Sequence, residues 1–278
     1  MLRFSLLFMF IALNAYALPL PRQSRAQVRI PSTLTANYDF EGIVQMSDCS
    51  GSLVRFENSQ DTDQAMILTN GHCIDGGPMD AGAVLMNQSV SRSFTLMNTQ
   101  GDSAATLNAD MLLYATMTKT DVALYRVTET YAQILSSYGV HALTLSSQHP
   151  TQGQSIDVIS GYWQRGYSCS IETFVVGLTE QNWQWQDSMR YSRPGCEVIG
   201  GTSGSPILLA GTRTIVGVNN TINEDGQRCT LDNPCETDAN GNVTYQQGYG
   251  YGQETYWFYS CMTTGQLDFT AAGCLLPH

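Results

Sequence analysis

The 278-residue chain contains a single lysine, Lys119, and charged residues make up only 13% of it. Acidic groups outnumber basic ones by 24 to 13, for a formal net charge of −11. That balance excludes nucleic acid as an expected partner, because affinity for it comes chiefly from Lys and Arg neutralising phosphates. It suits solubility outside the cell and attraction of cationic substrates. Long hydrophobic runs are also missing, since no stretch reaches the roughly 20 residues that cross a bilayer. No segment carries a long 3.6-residue period with caps, and there is no internal repeat or low-complexity tract. Cys-x-x-Cys pairs and clustered Cys and His, the spacing of structural metal sites, are absent as well. Neither a metal nor a cofactor is therefore expected.

What is present begins with Arg3, an apolar run from Phe4 to Leu13, and the small-x-small sequence Ala15-Tyr16-Ala17. Residues 1–17 read as a secretory signal peptide. Residues 18–36, with three prolines and several arginines, read as an exposed leader or pro-segment. An exported protein follows, extracellular or periplasmic, with no membrane attachment once the signal is removed. The eight cysteines, Cys49, Cys73, Cys169, Cys196, Cys229, Cys235, Cys261 and Cys274, then imply disulfides in an oxidising compartment. Their pairing is open at this point, because eight cysteines allow about 105 connectivities.

Short runs rich in β-branched and aromatic residues dominate the remainder, and most are bounded by turn formers. One series comprises Gly42–Met46, Gly51–Phe56, Ala65–Thr69, Phe94–Asn98, Met111–Thr116 and Val122–Val127. A second comprises Ser155–Trp163, Ser170–Val176, Trp183–Tyr191, Ile207–Ala210 and Thr214–Val218. Tyr131–Ser137 is the one short helix expected, and Asn240-Gly241 signals a hairpin turn. Asp238, Asn240 and Asn242 imitate a calcium loop, but Val243 stands where such a loop needs glycine. The pattern predicts an all-β protein of two domains, 37–138 and 139–278, joined through Ser136–Gly153.

Three motifs carry chemistry. Ile67-Leu68-Thr69-Asn70-Gly71-His72-Cys73 is a strand ending in a histidine. Asp121-Val122-Ala123-Leu124 places an aspartate at the mouth of another strand, and Gly200-Gly201-Thr202-Ser203-Gly204-Ser205-Pro206 is a glycine-rich turn around a serine. Singly, each is a partly buried histidine, a turn residue or a loop. Together they form a chemical set, because a serine hydroxyl is a weak nucleophile until a neighbouring base takes its proton. Histidine is that base near neutral pH, and a buried carboxylate holds its tautomer. Glycines let the backbone turn its N–H groups toward a developing oxyanion. An α/β-hydrolase elbow is excluded because Ser205 occupies its second glycine position. The subtilisin type, which places its aspartate first, is excluded by the order of the motifs.

These motifs resemble the His-Cys, Asp-x-Ala-Leu and Gly-x-Ser-Gly-x-Pro signatures of the chymotrypsin/trypsin family of serine proteases, in the same order. Cys49-Ser50-Gly51-Ser52-Leu53 extends the resemblance, which runs from about Gly42 to Val218. It implies two six-stranded antiparallel β-barrels with the active site in the cleft between them, and a monomeric endopeptidase acting on proteins or peptides. His72, Asp121 and Ser203 would be the catalytic residues, with the Gly201 and Ser203 N–H groups as the oxyanion hole. A Cys49–Cys73 disulfide is implied by the same resemblance; Cys169–Cys196, Cys229–Cys235 and Cys261–Cys274 complete the expected set. A catalytically silent homologue acting as a binding protein is the alternative, and the complete set of three catalytic residues argues against it.

Where animal trypsins carry an aspartate before the nucleophile, this chain has Thr202, so activation through an ion pair to a freed amine is not expected. Gly-Thr-Ser-Gly-Ser-Pro is more similar to bacterial glutamyl endopeptidases, and cleavage of the leader near Arg25 or Arg29 is the expected maturation. Counting back from Ser203, Glu197 falls where trypsin-like enzymes hold the carboxylate that selects basic side chains. Asn219 and Asn220 are expected at the pocket entrance.

Overall fold

The computed structural model describes residues 38–278; the expected signal peptide and leader, with Arg25 and Arg29, lie outside the described residues. Six strands build the first half: β1 (Ile43–Gln45), β2 (Ser50–Arg55), β3 (Gln64–Thr69), β4 (Val84–Met97), β5 (Ser103–Thr116) and β6 (Val122–Thr130). They pair antiparallel in the order β1-β2-β3-β6-β5-β4, and the β1–β4 pairing closes the ring. Helix α1 (Tyr131–Tyr138) follows, where the sequence predicts it. Thr130 and Gln133 form a reciprocal capping box at its start, and Gly139 ends it at a left-handed φ of 68°.

The linker also contains a strand that its composition does not announce. β7 (Leu143–Leu145) pairs parallel with β2 on one side and, on the other, with β12 (Thr214–Ile222). The second half comprises β8 (Ser155–Ser160), β9 (Arg165–Glu180), β10 (Trp183–Tyr191), β11 (Pro206–Leu209), β12 and, after a hairpin of β13 (Cys235–Thr237) and β14 (Val243–Thr244), β15 (Gly250–Glu254). Its pairings close as β8-β9-β10-β15-β12-β11 and back to β8. Counted within each half, both rings therefore run first, second, third, sixth, fifth, fourth. The fold is all-β, with two six-stranded antiparallel rings of one topology, a repeat that the amino acids themselves do not show.

Alternation along the strands fills each ring. Ile156, Val158, Ile171, Met189, Tyr191, Ile207 and Val216 pack inside the second, and Leu53, Ile67, Phe94, Leu107 and Tyr125 lie in the core of the first. Between strands of different halves, Ile43, Val54, Leu145, Ile159, Ile215 and Phe258 form a shared layer. The four disulfides are Cys49–Cys73, Cys169–Cys196, Cys229–Cys235 and Cys261–Cys274, the pairing expected. The Asp238 carboxylate accepts N–H bonds from Asn240 and Asn242, so the loop that imitates a calcium site spends its acidic group on its own turn. Among the described residues no helix is long and apolar enough to cross a membrane.

Candidate active site

His72 sits on a single 3-10 turn (Gly71–Cys73) at the end of β3. The turn is pinned on two sides. Cys73 is bonded to Cys49 at the start of β2, and the Asn70 amide donates to the backbone carbonyl of Asp121 at 2.7 Å. Gly71 is required by close approach: a Cβ there would run into the carbonyl oxygen of Thr116. Asp121, fully buried, stands at the mouth of β6. Its Oδ1 accepts the His72 backbone N–H at 3.1 Å, and its Oδ2 lies 2.7 Å from Nδ1 of the imidazole. Nδ1 accordingly donates to the carboxylate, and Nε2 keeps the lone pair. The segment before Asp121 is stitched to β10 of the other ring, since the Lys119 N–H donates to Gln184 O at 3.0 Å and the Gln186 N–H to Lys119 O at 2.8 Å.

Ser203 belongs to the loop between β10 and β11. That loop is held from the first ring by the Ser50 N–H, which donates to Ser203 O at 2.7 Å. Gly204, at a φ of +79°, packs so tightly on Ser50 and Thr69 that no side chain fits. Asn219 braces it from below. Its amide donates to Thr202 O and Oγ1 at 3.0 and 3.1 Å, while its Oδ1 accepts the Tyr191 hydroxyl at 3.0 Å. Asn219 thus supports the loop as well as lining the cavity beside Asn220, and it is 1% exposed. Thr202 is equally local, its hydroxyl donating to Ile199 O at 2.6 Å. The N–H groups of Thr202, Gly204 and Ser205 are spent inside the protein, whereas those of Gly201 and Ser203 bond to no group among the described residues.

His72, Asp121 and Ser203 line one cavity, and His72 and Ser203 meet again in an adjoining hollow. The Ser203 hydroxyl itself donates to Asn220 O at 3.2 Å. Asn220 lines the same cavity, 2% exposed, and neither side-chain polar atom has a partner among the described residues. Three residues that sequence reasoning missed add carboxylates to it: Glu180 at the end of β9, and Glu224 and Asp232 from the loop after β12. Among the described residues no lysine or arginine lines the cavity. Glu180 accepts the Thr221 hydroxyl and the Asp232 N–H. Burial pushes its carboxyl up, and those hydrogen bonds with the charge of His72 hold it back. Burial is the largest influence on His72 and pulls its pKa down, but the charge and hydrogen bond of Asp121, with Glu180 and Asp232 behind it, leave the imidazole raised overall.

Glu197 is not part of this site. Its carboxylate accepts the Gly195 N–H at 3.0 Å and faces a separate hollow beside Glu172 and Arg193. The ungapped count from Ser203 fails because Cys196 is tied to Cys169 on β9, which turns the following residue away. No short motif announces Glu180, Glu224 or Asp232, because Glu180 ends β9 while the other two lie on the loop after β12, and they line one cavity only when the second ring closes.

The model of the trypsin-like peptidase domain family matches residues 49–218, and the chain belongs to that family, whose substrates are proteins and peptides. No curated protein matches it. Similar solved structures include the MamO protease domain from Magnetospirillum magneticum, 14% identical, covering 81% of this chain and 98% of that one at a TM-score of 0.49. The protease Anisep from Arthrobacter nicotinovorans is 15% identical, covering 78% and 91% at 0.45. A Glu endopeptidase is 17% identical, covering 78% and 86% at 0.42.

Proposed function

We propose that the protein is a secreted serine endopeptidase that cleaves after basic side chains. The observation that carries this reading is the buried Asp121 carboxylate bound to His72 Nδ1 at 2.7 Å in the cavity that Ser203 lines. In that arrangement the Ser203 hydroxyl turns from Asn220 O toward His72 Nε2, which takes its proton as the oxygen attacks the scissile carbonyl. The free N–H groups of Gly201 and Ser203 receive the oxyanion, an effect worth roughly 2.7–4 kcal/mol per donor. His72 then returns the proton to the leaving amine, and water hydrolyses the acyl-enzyme by the same route. The basic preference is supported by Glu180, Glu224 and Asp232, three carboxylates on a cavity that no lysine or arginine among the described residues lines. An acidic substrate side chain would meet like charge there, so the glutamyl-endopeptidase likeness of the Ser203 motif does not extend to specificity. Four disulfides fit an oxidising compartment.

The test is a peptide library varied on both sides of the scissile bond, run with the mature protein, beside labelling by a sulfonyl fluoride. Cleavage after Arg or Lys with stoichiometric modification of Ser203 is expected. A mature protein that neither cleaves any peptide nor reacts at Ser203 would instead be a binding protein on a protease fold.

A further inference from the structure

His149, Asp187 and Glu254 come from the segment after β7, from β10 and from the end of β15, and they meet outside the cavity described above. Glu254 is 2% exposed, and neither carboxylate oxygen has a hydrogen-bond partner among the described residues. His149 Nδ1 donates to the carbonyl oxygen of Pro150 at 2.5 Å. With that nitrogen committed, the lone pair of Nε2 faces the acids, 3.2 Å from Asp187 Oδ2 and 3.7 Å from Glu254 Oε1. The ring is held between Phe174 and Tyr256, with centroids 4.5 and 5.1 Å away. The Tyr256 hydroxyl donates to Asp187 Oδ2 at 3.2 Å, fixing that carboxylate as well.

Three electron-rich atoms thus converge around a buried acid that the protein leaves unsatisfied. A divalent cation supplies what is missing.

We propose that His149 Nε2, Asp187 and Glu254 bind a divalent transition ion of the zinc type. Zinc bonds near 2.0–2.2 Å in tetrahedral array set neighbouring donors about 3.3 Å apart, and the ligand atoms here all lie within 4.8 Å of one another. Calcium, which takes about 6–8 oxygen ligands, is poorly served by two carboxylates and an imidazole. The side chains of His149 and Asp187 are 38% and 31% exposed, which leaves a solvent-facing position for water as the fourth ligand. Pro150 plays the outer-shell part, fixing tautomer and ring orientation. Bound metal ties the inter-ring segment to β10 and β15. No short ligand spacing reveals the site, because 38 residues separate His149 from Asp187.

The test uses the full chain carrying Ser203→Ala, to prevent self-digestion, after treatment with a chelator. Zn2+ is titrated calorimetrically, Co2+ is followed by its visible absorption, and thermal unfolding is recorded with and without Zn2+. One ion per chain and a raised melting midpoint are expected. His149→Gln and Glu254→Gln should each weaken binding by more than the roughly 10–100-fold that loss of an outer-shell partner costs, and should remove the midpoint shift. Glu254→Gln keeps the side-chain shape and removes a buried charge, so it folds without metal. No binding by the parent protein at micromolar Zn2+, or unchanged binding in both variants, would overturn the assignment.

Discussion

The Ser203 hydroxyl donates to the Asn220 carbonyl oxygen at 3.2 Å, while His72 is bonded through Nδ1 to Asp121. Attack requires the hydroxyl to leave that acceptor for His72 Nε2. Catalytic hydrogen bonds commonly tighten only when substrate arrives.

Ser203→Ala removes the nucleophile but leaves the backbone bonds of the loop, which run through Thr202, Gly204 and Ser205. The expected result is a loss in kcat/KM of roughly 10⁴- to 10⁶-fold with an unchanged melting midpoint. Turnover of a peptide substrate beside thermal unfolding checks it, and retained turnover would place the nucleophile elsewhere.

Raising the His72 pKa has a readable consequence. A general base works only when neutral, so a folded-state pKa above the ordinary value near 6.5 moves the acid limb of the kcat/KM profile above that pH. Asp121→Asn removes the charge that raises it and permits the wrong tautomer. The limb should shift to lower pH while the plateau falls about 10⁴-fold. Kinetics from pH 5 to 9, about two units either side of neutrality, make both effects visible. A limb that stays in place would separate the observed titration from His72.

Glu180 is the carboxylate to vary for specificity. Glu180→Gln keeps an acceptor for the Thr221 hydroxyl or the Asp232 N–H and removes the charge. Preference for an Arg over a Leu substrate should fall by about tenfold or more, equivalent to about 1.4 kcal/mol. Glu197→Gln, which alters only a cap on the Gly195 N–H, should leave the preference as it was. The paired substrates assayed on both variants decide between the two carboxylates.

Legibility in the sequence followed how local each physical signal is. Trp183–Tyr191 reads as a strand from its own residues and is one with the same bounds. Residues 84–93 and 103–110 were missed because these parts of β4 and β5 carry many polar, exposed side chains and lack a clean apolar face. The shared ring topology left no trace, since long-range pairing needs no repeated amino acids. His72, Asp121 and Ser203 were legible because each requires a particular neighbour: glycine for close approach, cysteine for the clamp, glycine again for the oxyanion turn. The acidic lining, like the His149 cluster, is assembled across the second ring, and counting along the chain led instead to Glu197.

The disulfides offer a last prediction, in which loop length separates stability from activity. Cys49–Cys73 spans 24 residues and Cys229–Cys235 spans 6. Chain-entropy reasoning assigns about 3–4 kcal/mol to the first and about 2–3 kcal/mol to the second. Cys73 also follows His72 directly and anchors its turn to β2, so freeing it loosens the base as well as the unfolded chain. Replacing Cys49 and Cys73 together by alanine should therefore lower the urea midpoint more than replacing Cys229 and Cys235. It should also reduce kcat under conditions where the protein remains folded, because an imidazole misplaced by 1 Å can cost about a hundredfold. Urea unfolding and kcat measured on both double variants check the two halves of the prediction. Equal midpoints with equal kcat would mean that the Asn70 and Asp121 hydrogen bonds hold the turn without the bridge.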